Sequence, residues 1–293
     1  MTSAKTLLRF CPPLSITSTL LAICLLLNSC SKNEIPSQKK SHPIPQRIVT
    51  LSPSATEIIY AINAQDKLVA HSDFCDYPEQ VKNLPSVGGF DGKTLSIEKI
   101  LSFNPDFVYL TKGMHDYLIP FLENHNIDYY ISIADSVQTV LQEITEIGKI
   151  TDHASQAQKL CNQIKQDLQK IIRKQRQKVT VYWEVWTPPY MTAGKNSFIN
   201  EIITLAGGIN IFSDLEQPYP VISEEAILIR NPQVIIIPNS TVGGTSAVTN
   251  RKNWQNISAV KNNKIYSVDA NIISRPGPRL AQAIELISNC IYN

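Results

Sequence analysis

An internal repeat constrains the fold of this chain more than any other feature of its sequence. The segments 95–108 (LSIEKILSFNPDFV) and 222–235 (ISEEAILIRNPQVI) lie 127 residues apart and share Ser, Glu, Ile, Leu, Asn and Pro at six equivalent positions. In each copy a Ser N-cap precedes a short helix, and an Asn-Pro break separates that helix from a buried strand. Two such copies predict two related lobes with a cleft between them.

The order of strands and helices indicates an α/β fold. Arg47–Leu51 is a short β-branched strand, and Ser54-Ala55-Thr56-Glu57 after it matches the S-x-x-E capping box that opens a helix. A strand that leads into a capped helix is the first half of a parallel βα unit. Three further apolar runs are predicted as buried strands: Asp106–Leu110, Lys178–Val185 and Val234–Ile237.

A long helix is predicted near the middle of the chain. Residues 152–178 contain neither Gly nor Pro, and their apolar positions recur at helical spacing on one stripe. At about 1.5 Å per residue this helix would be about 40 Å long, which suits a rigid connector. We therefore predict an N-terminal lobe over residues 47–151, a connecting helix over 152–178 and a C-terminal lobe over 179–293.

The N-terminus has the pattern of an export signal. Lys5 and Arg9 precede an apolar run, Leu20–Leu27, which is too short to span a bilayer and fits the middle of a signal peptide. Leu27-Asn28-Ser29-Cys30 resembles the lipobox of bacterial lipoproteins, although a signal peptide that happens to contain a Cys is the alternative. We predict a signal peptide over residues 1–29, a lipid on Cys30, and a flexible polar tether over residues 30–46 that leaves an exported protein anchored to the cell envelope.

Charge balance and missing motifs exclude several classes of function. Residues 1–29 contain two basic and no acidic residues, so 25 basic residues face 25 acidic ones in the remainder, unlike a nucleic-acid-binding protein. The chain has no G-x-S-x-G, P-loop or HExxH motif. Its two histidines near predicted strand ends, His71 and His115, are not spaced as H-x-H or H-x-x-H. We therefore expect neither an enzyme nor a metal site.

Glu98 and Glu225 occupy equivalent positions in the two copies of the repeat, each in the first turn of its helix. One interpretation is that each carboxylate stabilises the helix N-terminus through the helix dipole, by about 0.3–1 kcal/mol. The other is a matched pair of surface acids, one on each lobe, that a two-fold symmetric partner binds with basic residues. The residue pattern leaves both interpretations open.

Six motifs and the long helix together identify a family. The motifs are Ser52-Pro53-Ser54-Ala55-Thr56-Glu57, Cys75-Asp76-Tyr77-Pro78, Val87-Gly88-Gly89-Phe90, Pro188-Pro189-Tyr190, Ala206-Gly207-Gly208-Ile209-Asn210-Ile211-Phe212 and Arg275-Pro276-Gly277-Pro278-Arg279. From about Arg47 to the C-terminus the chain resembles the substrate-binding proteins of bacterial ABC importers, in the group that binds cobalamin, ferric siderophores or haem. The resemblance implies the helical-backbone periplasmic binding protein fold, which is two Rossmann-like lobes joined by one long helix, and a monomer.

The resemblance also implies a function without catalysis or a cofactor. The protein is expected to capture cobalamin or a related corrinoid in the cleft, with haem or a ferric siderophore as the alternative ligand. It would deliver that ligand to an ABC permease dimer, whose ATPase subunits supply the energy. In such importers one acid on each lobe docks onto arginines of the permease, and Glu98 and Glu225 fall at the matching positions. A surface lipoprotein with no transport role is the second alternative.

Residues just beyond the carboxyl ends of strands face the crevice of an open α/β fold. Five aromatic residues there are predicted ligand contacts, with core packing as the alternative for each: Phe74, Tyr77, Trp186, Tyr190 and Tyr219. Phe90 is a partial substitute for a Trp of the cobalamin-binding relatives. Arg275 aligns with a cleft Arg of those relatives, and it either pairs with a phosphate or carboxylate of the ligand or braces the loop before the last helix.

Besides Cys30, the chain after the signal contains three cysteines. Three thiols cannot all pair within one molecule. A disulfide between Cys161 and Cys290 requires the last helix to pack near the connecting helix, and the sequence leaves this pairing open. Cys75 is expected to be free.

Overall fold

Four parallel strands form the sheet of the first lobe. The computed structural model describes residues 43–89, 93–173 and 177–292. The strands are β1 (Ile48–Thr50), β2 (Leu68–His71), β3 (Phe107–Thr111) and β4 (Asp128–Ser132). They lie in the order β2-β1-β3-β4, and each neighbouring pair is parallel. Helices cover both faces, so these strands are almost continuously apolar instead of alternating.

The helices of the first lobe alternate with its strands. They are α1 (Pro53–Ala61), α2 (Ile97–Ser102), α3 (Ile119–Asn124) and α4 (Val137–Ile150), and short 3₁₀ turns cover Gln65–Lys67, Glu79–Asn83 and Asp116–Leu118. The predicted capping box at Ser54 is wrong. Helix α1 begins at Pro53, whose fixed φ and missing N–H suit a first helical position, so Ser52 is the N-cap. Glu57 therefore lies inside the helix, where its side chain is buried.

The second lobe contains five strands, one of which is central and pairs with three of the others. They are β5 (Val179–Trp186), β6 (Met191–Thr192), β7 (Gly208–Asn210), β8 (Val234–Pro238) and β9 (Ile265–Val268). β5 pairs in parallel with β7 and β8, β8 pairs in parallel with β9, and β6 returns antiparallel to β5. The helices are α6 (Phe198–Leu205), α7 (Glu224–Arg230), α8 (Gly244–Thr249), α9 (Ser258–Lys261), α10 (Ala270–Ile273) and α11 (Leu280–Tyr292), with a 3₁₀ turn at Trp254–Asn256. The predicted α/β class is confirmed.

The local structure of the internal repeat is confirmed in both lobes. The side chain of Ser96 accepts a hydrogen bond from the backbone N–H of Lys99 at the start of α2, and that of Ser223 accepts one from Ala226 at the start of α7. Asn104 and Asn231 both have left-handed backbone angles, with φ of 46° and 42°. Asparagine tolerates this conformation better than most residues, and a buried strand follows each break.

One long helix, α5 (Ala154–Arg173), lies between the two sheets in the chain. It begins two residues after the start of the predicted connecting helix, and residues 174–176 lie outside the described part. The buried side chains of α5, which include Ala157, Ile164 and Ile171, share one apolar core with residues of both sheets and of α11. Among the described residues no helix is both long and apolar enough to cross a membrane.

The last helix does pack near the connecting helix, because Cys161 of α5 and Cys290 of α11 belong to the same core. Both are nevertheless free thiols, so the disulfide that the sequence left open is not formed. Cys75 is also free, as predicted, and it is buried.

Candidate functional site

Large apolar side chains stay exposed at the carboxyl-terminal edge of the first sheet. Phe74 and Tyr77 follow β2, Met114 and Tyr117 follow β3, and Ile133 follows β4. Because parallel strands end at a common edge, the three loops that carry these side chains are neighbours. Burial normally removes such groups from water, so a row of them at one edge marks a surface that binds something.

The second lobe repeats this arrangement. Trp186 ends β5 with 62% of its surface exposed, Val242 follows β8, and Tyr219 and Val221 lie in the loop between β7 and α7. The indole N–H of Trp186 donates to the carbonyl oxygen of Pro188 at 3.0 Å, which holds the ring on its loop. We call these two sets of exposed side chains the apolar rows of the first and second lobe.

Loops of the two lobes line a common cavity of about 250 Å³. Ala134 and Asp135, which follow β4, line one side of it. Tyr219, Phe198 and Ser274 of the second lobe line the other. Small-molecule pockets usually measure about 300–1,000 Å³, so this cavity alone accommodates only part of a large ligand.

Four charged side chains join the two lobes, and we call them the inter-lobe ion cluster: Glu57, Asp76, Arg275 and Arg279. Arg275 Nη1 donates to Asp76 Oδ1 at 2.6 Å and to Glu57 Oε1 at 3.2 Å, and its Nη2 donates to the carbonyl oxygen of Phe74 at 3.1 Å. Arg279 binds both carboxylate oxygens of Glu57, at 2.6 and 2.8 Å. The cluster thus ties the segment between α10 and α11 to α1 and to the loop after β2.

Three of the four side chains of the inter-lobe ion cluster are shielded from water, and the cluster is neutral overall. The side chain of Glu57 is 1% exposed, and those of Arg275 and Arg279 are 12% exposed. Burial raises the pKa of Asp76, but the hydrogen bond and charge of Arg275 outweigh it and hold that pKa below its usual value. Within the cluster, two carboxylates balance two guanidinium groups. Arg275 is in the bracing position, one of the two roles that the sequence left open.

The sequence analysis missed the role of three members of this cluster. Glu57 was interpreted as a capping residue, and Asp76 and Arg279 were noted only as parts of motifs. The available signal is the presence of two cations, Arg275 and Arg279, in one short segment just before the last helix. Their carboxylate partners lie about 200 positions earlier in the chain, so no local pattern identifies them.

Tyr190 differs from the other predicted aromatic contacts because its ring is packed. It stacks on Trp254 with a distance of 5.9 Å between ring centroids, and the guanidinium of Arg251 lies 5.4 Å from its ring. Arg251 in turn pairs with both carboxylate oxygens of the buried Glu184, at 2.6 and 2.8 Å. Tyr190 is half-buried by these neighbours, whereas Phe74, Tyr77, Trp186 and Tyr219 are exposed.

The ring of Tyr77 is exposed at its edge but faces a cation. The Arg279 guanidinium carbon lies 4.2 Å from the centroid of that ring, a distance typical of a cation–π contact. Phe90 and Cys30 lie outside the described residues.

Glu98 and Glu225 are both exposed on the first turns of α2 and α7. Ser96, the N-cap of α2, donates its hydroxyl to Glu98 at 3.1 Å. Glu224, the neighbour of Glu225, is half-buried and accepts the indole N–H of Trp254 at 2.7 Å. Glu225 is therefore the outward-facing acid of its helix, and neither Glu98 nor Glu225 forms an ion pair within the described residues.

The two histidines near strand ends have structural roles. The ring nitrogens of His71 bond to the carbonyl oxygens of Ser72 and Leu84, at 2.7 and 3.1 Å. His115 is buried, and its Nδ1 accepts the backbone N–H of Thr111 at 3.0 Å. Burial lowers the pKa of His115 to about 4, so its ring is neutral at physiological pH. Over the described ranges, no group of three or more His, Cys, Asp or Glu side chains is arranged to hold a metal ion.

Comparisons with known proteins agree with this architecture. Residues 48–272 match the family model described as "Periplasmic binding protein". The chain is 30% identical over 278 residues to a vitamin B12-binding protein of Vibrio cholerae, which covers 92% of this chain and 97% of that relative. It is 29% identical over 276 residues to an uncharacterized ABC transporter substrate-binding lipoprotein of Bacillus subtilis, with 91% of this chain and 85% of that relative covered.

Two crystal structures from Vibrio cholerae have the same fold. One is of the periplasmic vitamin B12-binding protein, with a TM-score of 0.73 and 30% identity over 85% of this chain and 97% of that one. The other is of a periplasmic haem-binding protein, with a TM-score of 0.77 and 25% identity over 85% of this chain and 99% of that one. Proteins of similar architecture thus bind two different tetrapyrrole-like ligands.

Proposed function

Because this chain belongs to the periplasmic binding protein family, we propose that it captures cobalamin or a related corrinoid between its lobes and delivers it to an ABC permease. Membership of this family shows that the chain is a substrate-binding protein of the kind that binds vitamin B12, haem or siderophores, and that it is not an enzyme. The choice of a corrinoid as the ligand is the finer step of the proposal.

The two apolar rows are the observation that carries this proposal. Trp186 and Tyr219 of the second lobe and Phe74 of the first lobe expose wide aromatic surfaces at or beyond strand ends. A broad, partly apolar ring system that bound against these side chains would bury their surface with both of its faces. Each Å² of apolar surface buried contributes about 25 cal/mol to the free energy of binding. A small sugar, amino acid or metal ion would leave most of these side chains exposed.

A vitamin B12-binding relative supports the choice of a corrinoid. The vitamin B12-binding relative of Vibrio cholerae matches this chain over almost its whole length, at 30% identity. The haem-binding structure is less similar in sequence, at 25% identity. Haem or a ferric siderophore stays the alternative ligand, because exposed Tyr77 and Tyr219 carry phenol oxygens of the kind that bind iron.

Glu98 and Glu225 are the proposed contacts with the permease. They occupy equivalent places in the two copies of the repeat, and both carboxylates point outward without an ion-pair partner in the described residues. A permease built from two like subunits would present one basic site to each carboxylate, and its ATPase subunits would supply the energy for transport.

A lipid on Cys30, after removal of residues 1–29, is the proposed means of attachment to the membrane. The lipobox-like Leu27-Asn28-Ser29-Cys30 supports it, and so does the description of the Bacillus subtilis relative as a lipoprotein. Residues up to about 46 would then tether the two lobes to the membrane surface.

The proposal is tested by calorimetric titration of the chain from Ser31 onward. This part contains both described lobes, and 85% of the chain suffices to match 97% and 99% of the two solved relatives. One-to-one binding of cobalamin, tighter than that of haem or a ferric siderophore, is the expected result. Preferential binding of haem or the siderophore would keep the importer role and overturn the corrinoid. No binding of any of the three would favour a surface lipoprotein without a transport role.

A further inference from the structure

Every arginine whose side chain is described is already held by another group of the protein. Arg47 donates to the backbone carbonyls of Phe103 and Asn104; Arg230 pairs with Asp214, Arg251 with Glu184, Arg275 with Asp76 and Glu57, and Arg279 with Glu57. The guanidinium fork is the side-chain group best suited to bind a carboxylate in two places at once. The described part of the cleft therefore offers no unoccupied guanidinium to an anionic ligand.

Arg275 lies between two residues that line the cavity shared by the lobes. Its chain neighbours Ser274 and Pro276 line the cavity opposite Asp135. Its nearest carboxylate oxygen, Oδ1 of Asp76, is 2.6 Å away, and the side chain of Asp76 is 45% exposed at this edge. An anionic ligand that approached Arg275 would thus have to compete with Asp76, and it would meet the negative charge of Asp76 first.

Further carboxylates surround the same edge. Asp73 accepts the hydroxyl of Ser86, and Asp135 accepts the hydroxyl of Thr139 at 3.2 Å, so both bind neutral donors. Both side chains are exposed on loops at strand ends, one after β2 and one after β4. Two carboxylates bound to hydroxyl groups beside a neutral ion cluster give this end of the cleft a negative potential.

We propose that the inter-lobe ion cluster makes the cleft selective by charge: it excludes ligands with several carboxylates and admits neutral or cationic ones, and Asp76 is the residue that sets this selectivity. The inference rests on the proposed function only in that the cleft is the ligand site. It separates the proposed ligands, because haem carries two propionate carboxylates whereas the corrin ring of cobalamin carries amides in their place.

The test removes one negative charge from the cluster without changing its shape. In Asp76→Asn, the two guanidinium groups of Arg275 and Arg279 face only the carboxylate of Glu57, so the cluster gains a net positive charge. Haem and cobalamin are titrated separately into the chain from Ser31 onward, and the ratio of the two Kd values is compared with that of the unmodified protein. We expect the ratio to move at least tenfold toward haem.

Two further variants identify the cause of the change. Asp76→Asn combined with Arg275→Gln restores neutrality, and the ratio is expected to return to within about threefold of its original value. Asp214→Asn is the matched control, because it frees Arg230 by the same chemical change. Arg230 also bonds to the backbone of Ile211, just after β7. The residues of β7 pair with the first residues of β5, and Trp186 lies at the other end of β5.

The outcomes separate this inference from the proposed function. An unmodified protein that binds haem as tightly as cobalamin overturns the inference, and so does an Asp76→Asn variant with an unchanged ratio or one whose gain survives Arg275→Gln. Where the unmodified protein binds neither ligand, a new affinity of Asp76→Asn for haem supports the charge selectivity although the corrinoid is wrong. If Asp76→Asn gains no affinity for haem in that case, the charge selectivity is overturned as well. Tight cobalamin binding without any gain in the variant leaves the proposed function standing alone.

Discussion

Arg279 and Glu57 lie 222 positions apart in the chain, yet the guanidinium of one holds both carboxylate oxygens of the other, at 2.6 and 2.8 Å. The pair joins α1 of the first lobe to the segment that enters the last helix. Because Glu57 also accepts from Arg275, this single carboxylate binds two guanidinium groups that are almost wholly shielded from water. This arrangement makes Glu57 the residue on which the junction of the lobes depends.

Replacing Glu57 by Ala is therefore expected to destabilise the protein strongly. The substitution leaves two guanidinium groups buried with insufficient negative charge, and removal of one partner of a buried ion pair typically costs about 3–5 kcal/mol. Urea denaturation gives the free energy of unfolding. Glu216→Ala, which breaks the exposed pair with Lys195, is the control and should leave the free energy of unfolding almost unchanged. Equal losses in the two variants would contradict the special role of Glu57.

Trp186→Ala is expected to weaken ligand binding by more than tenfold. The indole is the most exposed aromatic side chain of the second apolar row, so its removal deletes ligand contact area but no core packing. Affinity is measured by calorimetric titration with cobalamin. Ile209→Ala provides the control, because Ile209 is a comparably exposed apolar residue in β7, away from the carboxyl ends of the strands. An unchanged affinity of Trp186→Ala would remove this residue from the site.

Glu98→Ala combined with Glu225→Ala is expected to abolish uptake and to leave the Kd for the ligand unchanged. Both carboxylates lie on the outer first turns of α2 and α7, and not among the cleft residues. Uptake of labelled cobalamin by cells and titration of the purified protein separate the two effects. Glu123→Ala combined with Glu285→Ala removes the same charge from other exposed sites and should preserve uptake. A large loss of affinity in the first double variant would argue against a docking role.

Cys30→Ser is expected to release the protein from membranes. A single thiol would carry the lipid, and the tether that follows is too polar to bind a bilayer without it. Membrane and soluble fractions of cells that express each form are compared by immunoblotting. Cys161→Ser is the matched control, since that thiol is buried beside α4 and should not affect fractionation. Retention of Cys30→Ser in the membrane fraction would refute the lipid attachment.

The sequence predicts the fold well because the determinants of the fold are local. The Ser N-caps, the Asn-Pro breaks and the apolar strands of the repeat are readable within about fifteen residues, and the structure has all of them. The apolar rows were predicted only in part. Met114, Ile133 and Val242 follow strands that the strand-end rule also covers, but they are aliphatic, and only aromatic residues are predicted as apolar ligand contacts.

The inter-lobe ion cluster could not have been predicted in the same way. Ser54 and Glu57 together match a local capping-box pattern, and only Pro53 shows that the helix begins earlier. Its true partners are set by how the last segment of the chain crosses the first lobe, which is a property of the tertiary structure.

Glu143 leads to a prediction about pH. This carboxyl on α4 is 2% exposed; it accepts the hydroxyl of Tyr109 and, at 2.6 Å, that of Ser132. Burial raises its pKa from 4.5 to about 7, against the lowering effect of those two hydrogen bonds. Between pH 4.5 and about 7, Glu143 therefore keeps its proton in the folded protein but has lost it in the unfolded chain.

Stability is consequently expected to fall as the pH rises from about 4.5 to 7. Below the unfolded pKa both states are protonated and the contribution is fully present; above the folded pKa it is lost, because ionised Glu143 is buried. The difference between the two pKa values corresponds to about 3 kcal/mol at most. Urea denaturation at several pH values measures it, and Glu143→Gln should reduce the slope. Glu146→Gln, which removes a half-buried carboxyl of the same helix, should keep the slope of the unmodified protein. An equal slope in Glu143→Gln would assign the pH dependence to other groups.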